Sequence, residues 1–132
     1  PPPHAHPPPN DDGIDAPGIR ALHAAARDLG EVHVVAPAEV QSAMGHAVTF
    51  HRPVRCARWR CDRDGDYAGT AVHGRPADCV KLALSNLIDG PVDLVLSGMN
   101  AGANIGINVI YSGTVAAAME AAFLGVPSIA VS

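Results

Sequence analysis

Apolar positions along the chain fall into a repeating order of amphipathic stretch and short β-branched run. From Pro17 onward, Ile19, Leu22, Ala26 and Leu29 recur at helical spacing; Pro17 suits a first helical position and Gly30 a stop. The run EVHVVAP, 31–37, reads as a buried strand. Partial alternation over 47–60 and again over 66–74 (DYAGTAVHG) suggests two strands paired as a hairpin. A second helix opens with Pro76 and Asp78 and lays Val80, Ala83, Leu84, Leu87 and Ile88 on one face. VDLVLSG, 92–98, is a strand, followed by a Gly/Asn-rich loop. GTVAAAMEAAFLG is a third helix ending at Gly125, and VPSIAVS a last strand.

This alternation predicts an α/β fold, a mostly parallel sheet with helices on both faces. The series calls for an apolar strand directly before Asn10. The chain has PPPHAHPPP there, with six of its twelve prolines in residues 1–9. Proline lacks the N–H that a central strand must donate, so this segment is expected to be extended and unpaired. The expected organisation is a Pro/His-rich segment over 1–9 and an α/β core over 10–132. His4 and His6 are read as solvated side chains. The last strand coincides with the last residue, without a covering helix, so the core is expected to be incomplete at that side too.

Composition narrows the function classes. Apolar residues make up 48% and charged residues 17% of 132, a globular balance with room for one core. The net charge of -4 and the absence of a basic run disfavour binding to a nucleic-acid duplex. Aromatics, at 4%, leave little for base stacking. No apolar stretch approaches the roughly 20 residues of a membrane span. Cys56, Cys61 and Cys79 form an odd set without a C-x-x-C pair, which fits reduced thiols in a cytoplasm.

In parallel sheets, ligands gather beyond the carboxyl ends of the strands. The polar residues expected there are Asp11 and Asp12 after the expected first strand, Ser42 after the strand ending near Ala36, and Ser97 and Asn100 after VDLVL. Ser112, Gly113 and Thr114 lead into the third helix. Paired carboxylates with amide and hydroxyl oxygens form an oxygen-rich set suited to magnesium or manganese rather than zinc. Ser112-Gly113-Thr114 offers hydroxyls, amide N–H groups and the positive end of a helix dipole to a phosphate. A hard cation beside a held phosphoryl group is the pattern of a metal-assisted hydrolase. Each feature alone also has a plainer reading. Asp-Asp-Gly serves as a turn, Ser-Gly-Thr as a helix cap, Asn100 as a loop residue, and His46 as a structural or exposed histidine.

Five segments in order, NDDGIDAPGIRAL, APAEVQSAMGHAVTFHRP, GRPADCVKLAL, VDLVLSGMNAGANIG and YSGTVAAAMEAAFLGVPSIAVS, resemble the stationary-phase survival protein SurE family from Asn10 to Ser132. The resemblance implies a Rossmann-like three-layer core and a metal-dependent phosphohydrolase of nucleoside 5′- and often 3′-monophosphates. It also implies a cytoplasmic homodimer or homotetramer. By the same likeness, one divalent cation would be held by Asp11, Asp12, Ser42 and Asn100, and the phosphate by Asn10, Ser112, Gly113 and Thr114. The chain departs from the family pattern at Pro9, where a threonine is usual, at Ala38 for an aspartate, and at Arg75 for a threonine. Family members are roughly twice as long, so a fragment with an altered front end is expected. The alternative reading is a truncated or degenerate module that binds phosphate or nucleotide without turnover.

Overall fold

The computed structural model describes residues 13–39, 48–63 and 65–132. Asn10, Asp11, Asp12, Ser42, His4, His6, Pro9 and His46 lie outside them.

The described residues alternate strands and helices in the expected order. They run α1 (Pro17–Ala26), β1 (Val35–Pro37), β2 (Cys56–Arg60), β3 (Ala68–Val72) and α2 (Pro76–Leu82), which continues as a π-helical turn over Ala83–Leu87. β4 (Val95–Ser97), α3 (Asn108–Tyr111), α4 (Gly113–Phe123) and β5 (Ser128–Ala130) complete the series. The hairpin expected between 47–60 and 66–74 forms as the antiparallel pair β2–β3, with Cys56 opposite Val72 and Arg60 opposite Ala68. The two longer-range pairings are parallel: Val35–Pro37 with Thr70–Val72, and Val95–Ser97 with Ser128–Ala130.

The strands form two sheets, ordered β1-β3-β2 and β4-β5, rather than one. Among the described residues no strand joins β1 to β4, the place where the expected first strand belongs. The strands are also shorter than the apolar runs predict. Residues 31–34 and 92–94 lie outside the strands, although the Val34 carbonyl still accepts from the Thr70 amide, and they border a groove of about 990 Å³ between the two sheets.

Two packing zones hold the sheets. Beside β1 and β3, Ile14, Val34, Ala36, Cys61, Tyr67 and Ala71 form a buried cluster, with Ile19 of α1 and Trp59 of β2 against it. The second zone is alanine-rich. Ala77, Cys79 and Ala83 from α2 and its extension, and Ala116, Ala117 and Ala121 from α4, are all buried. Such small side chains let two helix backbones approach closely. α2 also packs on β1, and α4 on β4 and β5, so this helix pair bridges the split sheet.

Several expected apolar faces turn toward the groove instead of a closed core. Leu22, Val80, Leu84 and Ile88 line it and are partly buried. Leu29 lies beyond the end of α1 at Ala26 and is exposed. The helix expected through Ile88 widens in its last turn, where the Ile88 amide donates five residues back to the Ala83 carbonyl. The three cysteines are free thiols, and burial pushes the Cys79 thiol far up from its ordinary range, with the Asp78 charge adding to it.

Tyr67 is the tie between α1 and the sheet. Its hydroxyl donates to the Ile14 carbonyl at 2.7 Å, while its ring meets His23 and Trp59 edge to face and lies under the Arg20 guanidinium. Burial raises its phenol to about 12, opposed by Arg20. An unfolded tyrosine loses its proton near pH 10 while the folded one holds it. Stability is therefore full below about pH 10 and falls as pH rises toward 12. Urea unfolding at pH about 9 and about 11.5 is expected to show this loss, with Tyr67→Phe abolishing it. At neutral pH that variant is expected to cost about 1–2 kcal/mol, because the Ile14 carbonyl loses its donor.

Candidate functional site

The carboxyl ends of the strands converge on one edge of the groove. Gly13 reaches it because the Ile14 amide donates to the Pro37 carbonyl at 2.9 Å, and a turn closes from the Ala16 amide to the Gly13 carbonyl. The residue that follows Asp12 is thereby fixed at the end of β1. At the end of β4, the Asn100 amide donates to the Val131 carbonyl at 3.1 Å. The Asn100 side-chain nitrogen donates to the Gly102 carbonyl at 2.7 Å, closing the loop on itself. That bond sets the amide orientation, and no hydrogen bond engages its Oδ1 among the described residues.

Ser112, Gly113 and Thr114 start α4 on the same edge. Ser112 is the cap: its backbone is extended and its Oγ accepts from the Val115 amide at 3.2 Å, leaving the hydroxyl proton free to donate. No backbone carbonyl among the described residues accepts from the Gly113 or Thr114 amide, and the α4 dipole adds partial positive charge there. Gly113 sits against Pro76 of α2; a Cβ at this position would come within 2.9 Å of the proline ring. Only glycine lets the start of α4 lie this close to the start of α2. Ser97, buried at the end of β4, donates from Oγ to the Thr114 carbonyl at 2.7 Å and so locks the first turn of α4 to the strand.

Gly13, Asn100, Ser112, Gly113 and Thr114 all line the one groove. Asn100 and the three α4 residues predicted from sequence are thus brought together with the residue adjoining the predicted carboxylates. Asn10, Asp11, Asp12 and Ser42 lie outside the described residues, and among those described no three His, Cys, Asp or Glu side chains converge where a metal ion could sit.

One residue beneath the site is not apparent from sequence as more than a helix-start aspartate. Asp78 is 3% exposed and accepts from the Thr49 amide at 2.8 Å, the Thr49 hydroxyl at 2.7 Å and the Arg75 amide at 2.9 Å. The Arg75 bond is a local cap whose signal is an aspartate two residues after a helix-opening proline. The Thr49 bonds span 29 residues and have no local signal. They anchor the chain as it leaves the stretch that carries Ser42.

A mostly parallel sheet in two parts, with strand ends, an oriented asparagine and a helix N-terminus on one edge, is an α/β fold with the start of α4 and the ends of β1 and β4 gathered on one side. The family model described as Survival protein SurE matches residues 9–132, and the chain belongs to that family. It is 55% identical over 124 residues to "5'-nucleotidase SurE" of Nitratidesulfovibrio vulgaris, covering 93% of this chain and 45% of that protein. It is 56% identical to the protein of that name from Rhodopirellula baltica, covering 48% of it. The crystal structure of SurE protein from Aquifex aeolicus superimposes with a TM-score of 0.77 at 47% identity, covering 92% of this chain and 47% of that one. The expected Rossmann-like α/β core is therefore present, and the chain spans about half the length of the relatives it matches.

Proposed function

We propose that this chain carries the phosphate-handling half of a phosphohydrolase acting on nucleoside 5′-monophosphates, and on 3′-monophosphates as well. The observation that carries this reading is the shared groove edge of Asn100, Gly13 and the open first turn of α4. The relatives named 5′-nucleotidase support the same reaction class.

The Ser112 hydroxyl, the Gly113 and Thr114 amides and the Thr114 hydroxyl would hold the phosphate oxygens, with Asn10 assisting. Asp11, Asp12, Ser42 and the Asn100 Oδ1 would supply a hard oxygen set of the kind one magnesium or manganese ion takes. Such an ion, when bound, would lower the pKa of water and offset developing negative charge on phosphorus oxygens. In the reaction a water oxygen bonds to phosphorus, and the bond from phosphorus to the ribose oxygen breaks. The electron pair leaves on that oxygen, which takes up a proton, so the products are nucleoside and inorganic phosphate. Fixing the phosphate at α4 aligns the ester bond for in-line attack. The expected setting is cytoplasmic, in a dimer or tetramer of the full-length parent. No helix among the described residues is long and apolar enough to cross a membrane.

Phosphate release from a nucleoside 5′-monophosphate is expected to require magnesium or manganese and to fall at least ~100-fold in Asp12→Asn, since the carboxylate is a ligand no amide replaces in charge. Release unaffected by both chelator and this substitution overturns the assignment. A second reading, binding without turnover, is favoured by the split of the sheet beside Gly13, where no strand among the described residues joins β1 to β4. Calorimetric binding of nucleotide and manganese without phosphate release would select it.

A further inference from the structure

A second hollow, of about 400 Å³, opens on one face of the β1-β3-β2 sheet. The strand register says which side chains meet there. Residues paired across neighbouring strands share a face, so Arg58, Thr70 and Val35 form one row across the sheet. Arg60 and Ala68 form the next row on that face. The Thr70 amide donates to the Val34 carbonyl, which carries the pairing on toward His33, and His33 borders the hollow too. Arg60 and His33 thus flank Ala68 from two strand spacings apart, about 10 Å. Alanine between two longer side chains leaves a floor with open space above it. Val72, paired with Pro37, lies four residues beyond Ala68, a rise of about 13 Å, and it is at Pro37 that Ile14 joins β1. The hollow therefore stands apart from the edge that gathers Gly13, Asn100 and the start of α4.

Charge and shape together define an occupant. Arg58 and Arg60 are exposed, and among the described residues no carboxylate pairs with either. Alternate residues of a strand are about 7 Å apart, so the two guanidinium groups repel each other across the hollow. His33 adds little to that field, because its Nε2 stands 3.4 Å from the Glu31 carboxylate. The Thr70 hydroxyl lies in the Arg58 row as a further donor. The apolar wall comes from the wide turn over Ala83–Leu87, which brings Leu87 and Ile88 to the hollow. A guanidinium offers a planar fork of N–H groups that matches a carboxylate or phosphate, and an anion between two of them removes their repulsion. We propose that this hollow binds a small organic dianion, a phosphate or dicarboxylate on an apolar body. The charged end lies between Arg58 and Arg60 beside Thr70, and the body rests on Leu87 and Ile88. Its volume suits a small molecule rather than a chain segment. This site is independent of nucleotidase chemistry.

The probes are phenylphosphonate and phenylsuccinate, with benzyl alcohol as the neutral control. Each is titrated into the full chain, with affinity read by calorimetry and location by NMR shifts of the Arg58 and Arg60 side-chain N–H groups and the Thr70 amide. The expected result is saturable binding of at least one dianion with shifts at all three groups, and none with benzyl alcohol. Affinity is expected to fall at least ~10-fold in Arg58→Gln and in Arg60→Gln, and less in the lysine variants, which keep the charge but lose the fork. The tighter of the two dianions assigns the oxyanion, phosphate or dicarboxylate. The Gly113 and Thr114 amides report separately on binding at the start of α4. Shifts confined to those two amides, no saturable binding of either dianion, equal shifts with benzyl alcohol, or unchanged affinity in both glutamine variants overturns the proposal.

Discussion

Replacing Asp78 by alanine is expected to lower stability by roughly 3–5 kcal/mol, a large share of the ~5–15 kcal/mol available to a domain. The carboxylate accepts three hydrogen bonds while almost wholly excluded from water, two from Thr49 and one from the Arg75 amide. Hydrogen bonds to an ionised group contribute about 1.5–3 kcal/mol each, less than additively when they share one acceptor. Truncation also leaves the Thr49 and Arg75 amides without an acceptor, and removes a negative charge from the first turn of α2. Asp78→Asn separates these contributions. It keeps one oxygen but turns one acceptor into a donor facing an N–H or O–H, so about 1.5–3 kcal/mol is expected. Urea unfolding checks both, through a lower midpoint at unchanged slope. A loss under 1 kcal/mol in the alanine variant would show that Thr49 and Arg75 find other partners. Thr49 follows directly on the stretch containing Ser42, so hydrogen exchange at Thr49 should rise in both variants.

The sequence makes some parts of this molecule legible and leaves others out, along physical lines. Element type and order follow from local patterns: helical spacing over Pro17–Ala26, β-branched runs at β1, β4 and β5, and glycine at the end of α4. The hairpin β2–β3 follows from two adjacent alternating runs. Element length does not follow, because it depends on neighbours. The runs 31–37 and 92–98 are apolar enough for full strands, yet only Val35–Pro37 and Val95–Ser97 pair, where β3 and β5 supply partners. Leu84 and Ile88 keep the spacing of a buried face but border the groove instead. The site divides the same way. Ser112, Gly113, Thr114 and Asn100 were placed by a rule about strand ends and helix starts, and the fold collects them. The Asp78–Thr49 bonds and the Ser97–Thr114 lock join positions far apart in sequence, and no spacing announces them.

Gly98→Ala is expected to damage stability and the site together, with Gly125→Ala as its contrast. Gly98 closes β4 at φ +123, a region L residues rarely adopt, and a Cβ there would clash with the Val131 carbonyl oxygen. That oxygen is the acceptor of the Asn100 amide, and the Val131 amide donates to the Ser97 carbonyl. Relieving the clash must therefore move the end of β5 or the loop holding Asn100, since neither neighbour is a flexible side chain. The conformational cost is about 1–3 kcal/mol. The broken pairing adds roughly 1 kcal/mol for each hydrogen bond lost, so about 3–5 kcal/mol in total is expected. Gly125 also has positive φ, +82, but open space around its Cβ, so only the conformational part applies, about 1 kcal/mol. Thermal and urea unfolding of the two variants measure the difference. Phosphate affinity, followed by calorimetry under conditions where each variant is folded, should fall further for Gly98→Ala, because Ser97 ties Thr114 to this strand end. Equal losses in the two variants would mean that the β4–β5 end yields without cost, and that Asn100 and the first turn of α4 are positioned independently of it.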